Sequence, residues 1–282
     1  KGDYEKALDY YSRSLSIREE LGDKRGIGVS LINIGFLHAD KGDYDKALDC
    51  YGRSLAIKEE LGDKKGIGNS LINIGLVHIS KGDYEKALDY LERSLAVKEE
   101  IGDKKGIGDS LINIGFLHAN KGEYDKALDY YERSLAIKEA IGDKKGMGDS
   151  LINIGFLHAD KGDYDKAEEY LEKSLNIRKE IGVGTDVLLA TNTSLYLTYK
   201  HLGKDYDEQK INKLLNETKN IEYEINYRLY ELLEDKSYLE TAYNQIQEKV
   251  DAMDKELKEF FLNYPIPKQI IEEYNKVFKI PS

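Results

Sequence analysis

The chain has 282 residues, of which 34% are charged, and its formal net charge is −11. This acidic balance argues against a nucleic acid as the main partner, because phosphate groups are bound by basic surfaces. No apolar run approaches the ~20 residues of a membrane-spanning helix, and we expect no membrane partner. Cys50 is the only cysteine, which excludes an internal disulfide and fits a reducing compartment, so we expect a cytoplasmic location.

A segment of forty residues recurs without gaps through the first two thirds of the chain. Three residue types mark its register: Gly26, Gly66, Gly106 and Gly146; Asn33, Asn73, Asn113 and Asn153; His38, His78, His118 and His158. Such a period indicates a solenoid, in which each repeat buries its apolar face only against its neighbours. The chain begins at Lys1 inside a repeat, so we expect it to be part of a longer protein.

Each repeat is predicted to form two helices. Apolar residues at helical spacing place the first helix over residues 104–120, and Gly122 suits a left-handed turn at its end. Glu123 is expected to cap the second helix, which should end near Ile141. No segment alternates polar and apolar residues with period two, and proline is absent before Pro265. The predicted fold class is therefore all-α.

After residue 182 the repeat decays into further predicted helices over 183–202, 206–219, 221–234, 237–262 and 268–278. Proline is expected to break the chain at residues 265–267. The long helix carries an apolar seam at four–three spacing, formed by Leu239, Tyr243, Ile246, Val250, Met253, Leu257 and Phe260. This seam either closes the end of the solenoid or forms a dimer. We favour a monomer over a homodimer, because the seam spans only about three heptads.

One repeat carries the spacing of the tetratricopeptide repeat signature at Leu111, Ile114, Gly115, His118, Gly122, Tyr124, Ala127, Tyr131 and Ser134. Residues 1–182 thus resemble a tetratricopeptide repeat array of the forty-residue branch, similar to kinesin light chains and the Leu-Gly-Asn adaptors. His118 and Ser134 depart from the usual aromatic residue and alanine. The resemblance implies a right-handed solenoid of antiparallel helix pairs, with 183–220 as a degenerate last repeat and 221–282 as capping helices.

The C-terminal part, residues 196–278, resembles the ends of such arrays in large bacterial signalling proteins. The resemblance implies that the chain is the sensor or regulatory part of a larger protein. In repeats of this kind the first helices line the concave groove. A similar asparagine ladder lines the repeat domain of the transferase that adds N-acetylglucosamine to serine and threonine.

The predicted groove residues are the asparagines Asn33, Asn73, Asn113 and Asn153, the apolar Phe36, Leu76, Phe116 and Phe156, and the acidic Asp109 and Asp149. Stacked first helices would place one amide roughly every 10 Å. An amide donates and accepts hydrogen bonds, so it can pair with a peptide bond whatever the peptide's side chains. Acidic groups at the groove's edge favour a peptide with Lys or Arg between apolar anchors. Alternatively, the asparagines brace neighbouring backbone within the array.

Enzyme chemistry is not predicted. Each repeat histidine lacks a second histidine or cysteine within helical reach, which disfavours a metal site. The segment from Gly102 to Gly108 follows a helix and lacks the Gly-Lys-Ser/Thr ending of a phosphate loop. We therefore expect no cofactor and no catalysis. The predicted function is a scaffold that binds a protein or peptide partner, and the alternative is a structural spacer or self-association module.

Overall fold

The structure is a computed structural model that describes residues 2–251, 253 and 255–278, with the side chains of residues 2, 3, 256 and 257 excepted. Fifteen helices and no strand lie within these residues, which confirms the predicted all-α class. The helices are α1 (Gly2–Glu20), α2 (Lys24–Asp40), α3 (Tyr44–Glu60), α4 (Lys64–Ser80), α5 (Tyr84–Glu100), α6 (Lys104–Asn120), α7 (Tyr124–Ala140), α8 (Lys144–Asp160), α9 (Tyr164–Ile181), α10 (Thr185–His201), α11 (Glu208–Glu217), α12 (Tyr223–Leu233), α13 (Lys236–Asp251), α14 (Lys255–Leu262) and α15 (Pro265–Phe278).

The chain divides into two compact units, Lys1–Leu117 and His118–Ser282. In the first unit, α2 packs on α3 and α4 packs on α5, with α3 and α4 joining the two pairs. In the second unit, α8 packs on both α7 and α9, and α9 contacts α10. There α12 packs against α10 and α13, and α13 contacts α15. No helix of the described residues has the length and apolar character needed to cross a membrane.

The repeated turn residues set the helix ends. The first helix of the central repeat runs over Lys104–Asn120 as predicted, and Gly122 adopts the left-handed conformation with φ of 74°. The aspartate of each linker begins the next first helix, since Asp103 Oδ1 accepts a hydrogen bond from Gly106 N at 3.1 Å. Glu123 occupies the N-cap position of α7 as expected, but its side chain forms no capping hydrogen bond. Its carboxylate instead contacts His118 Nδ1 at 2.8 Å and Lys126 Nζ at 3.0 Å.

Glycine on the first helices lets each pair approach closely. A Cβ atom built on Gly75 would lie 2.9 Å from Leu91 Cγ, and one on Gly155 would lie 2.7 Å from Leu171 Cγ. Both distances are too short for real carbon contacts. Ala87 and Ala167, opposite these glycines, are fully buried. Small residues at both positions therefore fix the separation of the paired helices.

The C-terminal helices differ from prediction in two places. Residues 237–262 do not form one helix, because α13 ends at Asp251 and α14 begins at Lys255. The last helix begins at Pro265 rather than at Lys268. Proline is compatible with the first turn of a helix, where a backbone N–H has no helical acceptor. The prolines thus start α15 instead of breaking the chain.

The predicted seam is largely filled by the chain itself. Leu239 and Ile246 are fully buried, and they share a core with Ile270 of α15. The ring of Tyr243 stacks on that of Tyr274, with 3.8 Å between centroids. Phe260 is 52% exposed and lies outside this core. The side chain of Leu257 falls outside the described residues.

Candidate functional site

Each first helix presents one accessible stripe. On α2 the stripe is Val29, Asn33, Phe36 and Asp40, at spacings of four, three and four residues, so the side chains share one face. The opposite face of α2 is buried through Leu31, Ile34 and neighbouring small residues. We call these four positions the first-helix stripe. Its equivalents are residues 69, 73, 76 and 80 on α4, residues 109, 113, 116 and 120 on α6, and residues 149, 153, 156 and 160 on α8.

The asparagines at the second stripe position are half-buried, and their side-chain amides form no hydrogen bond with the residues that the structure describes. Asn33, Asn73 and Asn113 in the first unit form no side-chain hydrogen bond with any described residue. The same holds for Asn153 in the second unit. Other asparagines of the chain do bond to backbone, as Asn226 Nδ2 does to Ile221 O at 3.0 Å. The stripe amides therefore retain both donor and acceptor capacity for a partner.

Apolar side chains accompany the amides in the first unit. Phe36 is 63% exposed and Phe116 is 41% exposed, while Leu76 is half-buried. Each lies three residues after a stripe asparagine, which places it about one helical turn further along the same face. A half-exposed apolar group beside a free amide can anchor a side chain while the amide pairs with backbone. In the first unit each of these apolar residues thus lies beside a predicted groove asparagine on its own helix.

In the second unit the chain covers part of the stripe. The guanidinium of Arg228 on α12 lies 4.7 Å from the centre of the Phe156 ring. The same guanidinium forms an ion pair with Asp160 at 3.6 Å. Phe156 also packs against the core that α12 shares with α10. The Phe156 end of the stripe is therefore engaged by the protein's own C-terminal helices.

The predicted acidic edge is also engaged within the chain. Asp149 Oδ1 accepts a hydrogen bond from the Arg178 guanidinium at 2.9 Å. Asp109 likewise has a partner within the chain. Because these carboxylates already have partners, their charge is less available to an incoming cationic peptide than the sequence suggested. Asp40, by contrast, is exposed at the end of the α2 stripe.

A row of buried cations was missed in the sequence. These cations are Lys58, Lys98, Lys138 and Arg178, which lie on α3, α5, α7 and α9 and are all at most 9% exposed. Lys98 Nζ donates to Asn69 Oδ1 at 2.8 Å, and Lys138 Nζ donates to Asp143 at 3.0 Å. Lysine normally keeps its ammonium in water, which is why the pattern was not recognised. The available signal was its spacing, since Lys58 follows buried Ala47, Tyr51 and Ser54 at helical intervals.

Three of the four repeat histidines stack on tyrosine rings. His78, His118 and His158 stack on the tyrosine twelve residues later, with centroid distances of 5.4–5.6 Å. Burial lowers the pKa of His78 and of His158, and the aspartate near each ring opposes this effect. No group of three or more potential metal ligands occurs among the described residues. Burial also raises the pKa of the Cys50 thiol.

Comparisons with known proteins agree with this architecture. BtubC (BKLC) from P. vanneervenii superposes with a TM-score of 0.63 at 21% identity, over 76% of this chain and 88% of that one. A variant of a putative kinesin light chain from Podospora anserina gives 0.51 at 15% identity, over 73% and 96%. A Rap protein in complex with competence and sporulation factor gives 0.65 at 16% identity, over 99% and 71%.

At these identities the similarity shows the fold alone. No curated protein matches the chain. The family model described as tetratricopeptide repeat matches residues 1–60, 26–100, 66–140 and 106–180, which together cover more than half of the sequence. The resemblance found in the repeat motif is thereby confirmed, and the chain belongs to the tetratricopeptide repeat family.

Proposed function

We propose that the protein is an interaction scaffold that binds a peptide segment along the first-helix stripe of its first unit. The observation that carries this proposal is the set of half-buried amides at Asn33, Asn73 and Asn113, none of which bonds to a described residue. Amides committed to bracing the array would have backbone partners instead. Membership of the tetratricopeptide repeat family supports the general scaffold role.

The chemistry of the stripe favours a partner with apolar side chains. Phe36, Leu76 and Phe116 supply the apolar contacts, and the amides pair with peptide backbone without regard to its sequence. The net charge of −11 favours encounter with a partner carrying Lys or Arg. The structurally similar Rap protein was solved with competence and sporulation factor bound, so a chain of this fold does accommodate a partner.

The first unit is the better candidate, because Arg228 covers Phe156 in the second. The buried seam residues of α13 support a closing role for the C-terminal helices, and we propose that the isolated chain is a monomer. We further propose that the array is the regulatory part of a longer protein, in which partner binding is communicated to neighbouring domains.

The test uses a peptide selected by display on the whole chain. The double substitution Asn73→Ala and Asn113→Ala should weaken its binding roughly 30-fold, since two lost hydrogen bonds cost about 2 kcal/mol. The melting temperature should stay within about 2 °C, because these amides form no hydrogen bond with any described residue. Isothermal titration calorimetry measures the affinity, and calorimetric melting measures the stability.

The matched control is Asn212→Ala with Asn216→Ala, two exposed asparagines on α11. This variant should bind the selected peptide as the unmodified chain does. A stripe variant that binds normally, or that melts many degrees lower, would assign Asn73 and Asn113 to the architecture instead of to the partner.

A further inference from the structure

The repeats can be compared position by position, and one of them differs at the first position of the first-helix stripe. Two of the buried cations on second helices bond to the first position of the stripe on the paired first helix. Lys98 is hydrogen-bonded to Asn69, and Arg178 to Asp149. At the equivalent position on α2 the residue is Val29, which has no polar atom to offer.

Lys58 is left with a poorly compensated ammonium. Its side chain is only 11% exposed, yet its Nζ atom forms no hydrogen bond with any residue the structure describes. The nearest carboxylate is that of Asp63, at 3.7 Å. The other oxygen of that carboxylate, Oδ1, accepts the hydrogen bond from Gly66 N at 3.0 Å, and Oδ2 is the atom that faces Lys58. A buried ammonium in this state is stabilised by any further acceptor.

A cavity of about 580 Å³ opens beside Lys58 in the first unit. Its basic groups are Lys24, Arg25, Lys58 and Lys64, with Asp63 the one acidic side chain in its wall. Lys24 and Lys64 are paired with Glu60 and Glu100, whereas Arg25 forms no ion pair with a described residue. Val29, Ile57 and Leu61 supply an apolar wall. This positive cavity stands out on a chain whose net charge is −11.

We propose that this cavity binds a carboxylate carried on a small apolar group, as at the C-terminus of a peptide that ends in leucine or valine. The carboxylate accepts a hydrogen bond from Lys58, as Asn69 does from Lys98. Arg25 lies in the same wall and adds a second charged contact. The apolar side chain packs against Val29, Ile57 and Leu61. This site is separate from the asparagines of the stripe and goes beyond the function proposed above.

The probes are N-acetyl-leucine, which carries the carboxylate, and N-acetyl-leucinamide, which is neutral and otherwise alike. Binding to the whole chain is followed by NMR titration. The acid should bind at least tenfold more tightly than the amide. A third probe, 4-methylpentanoate, distinguishes the sources: tighter binding of N-acetyl-leucine assigns a peptide end, and tighter binding of 4-methylpentanoate assigns a free acid.

The decisive variant is Val29→Asn, which installs the residue found beside Lys98. This substitution should lower the affinity for N-acetyl-leucine at least tenfold, because Lys58 then has a hydrogen-bond acceptor within the chain. Its melting temperature should not fall, since asparagine is accommodated at this place in the next repeat. Lys58→Met, which keeps the apolar stem and removes the ammonium, should lose the preference for acid over amide.

Two controls separate this site from the asparagines of the stripe. Ile17→Asn alters an exposed branched residue on α1, outside the cavity wall, and should leave N-acetyl-leucine binding unchanged. The Asn73→Ala, Asn113→Ala variant should also bind this probe normally, whether or not it loses the selected peptide. Equal affinity for acid and amide, or undiminished binding to Val29→Asn, would overturn the proposal.

Discussion

At the scale of single residues, the repeats hold charged groups in places where they are rarely found. Lys98 is 2% exposed and Lys138 is fully buried. Burial is tolerated because each ammonium meets a polar partner, while its aliphatic stem passes close to a glycine, Gly106 or Gly146. Removing one member of such a pair costs more than the pair contributes, because the other member stays buried.

Stability should fall as the solution is acidified through the histidine range. Burial lowers the pKa of His78 and His158 in the folded chain. Below the unfolded value of about 6.5, the unfolded chain therefore takes up protons that the folded chain resists. The melting temperature should drop between pH 7.5 and pH 5.5. His78→Phe with His158→Phe should shrink that drop. An undiminished drop in the double variant would place the pH dependence elsewhere.

At the scale of helices, the repeat made most boundaries predictable. The bounds of α6 match the prediction because an aspartate cap and a glycine stop flank it, and both act locally. The division between α13 and α14 was missed, since the apolar spacing continues through it without glycine or proline. The start of α15 was missed because proline was treated only as a helix breaker. Local sequence signals therefore predicted the helix boundaries within the repeats, whereas tertiary packing determined those of the C-terminal helices.

Two glycines within helices should respond oppositely to alanine. Gly75→Ala should lower the melting temperature, because its Cβ would lie 2.9 Å from Leu91 Cγ and 3.3 Å from Ala87 O. Overpacking of this kind costs about 1–3 kcal/mol, against a helix-propensity gain of about 1 kcal/mol. A Cβ atom on Gly52 would have no atom within 4 Å, so Gly52→Ala should raise the melting temperature. Equal shifts of the same sign would contradict the close-approach account.

At the scale of the whole molecule, the sequence reveals the architecture far better than the partner. Forty-residue periodicity identified the family, because each repeat makes the same contacts with its neighbours. The predicted groove residues Asn33, Asn73 and Asn113 remain a prediction, and the sequence does not show which stripe residues the chain itself contacts. The contact of Arg228 with Phe156 joins residues 72 positions apart, one within the repeats and the other beyond them. Such contacts follow from the packing of α12, which no local pattern encodes.

The central claim is that a peptide lies along the first-helix stripe of the first unit. The most direct measurement is an NMR spectrum of the whole chain with ¹⁵N-labelled asparagine side chains, recorded with and without the display-selected peptide. The amide signals of Asn33, Asn73 and Asn113 should shift on binding, while those of Asn212 and Asn216 stay in place. Saturating peptide that leaves the three stripe amides unmoved would contradict the account.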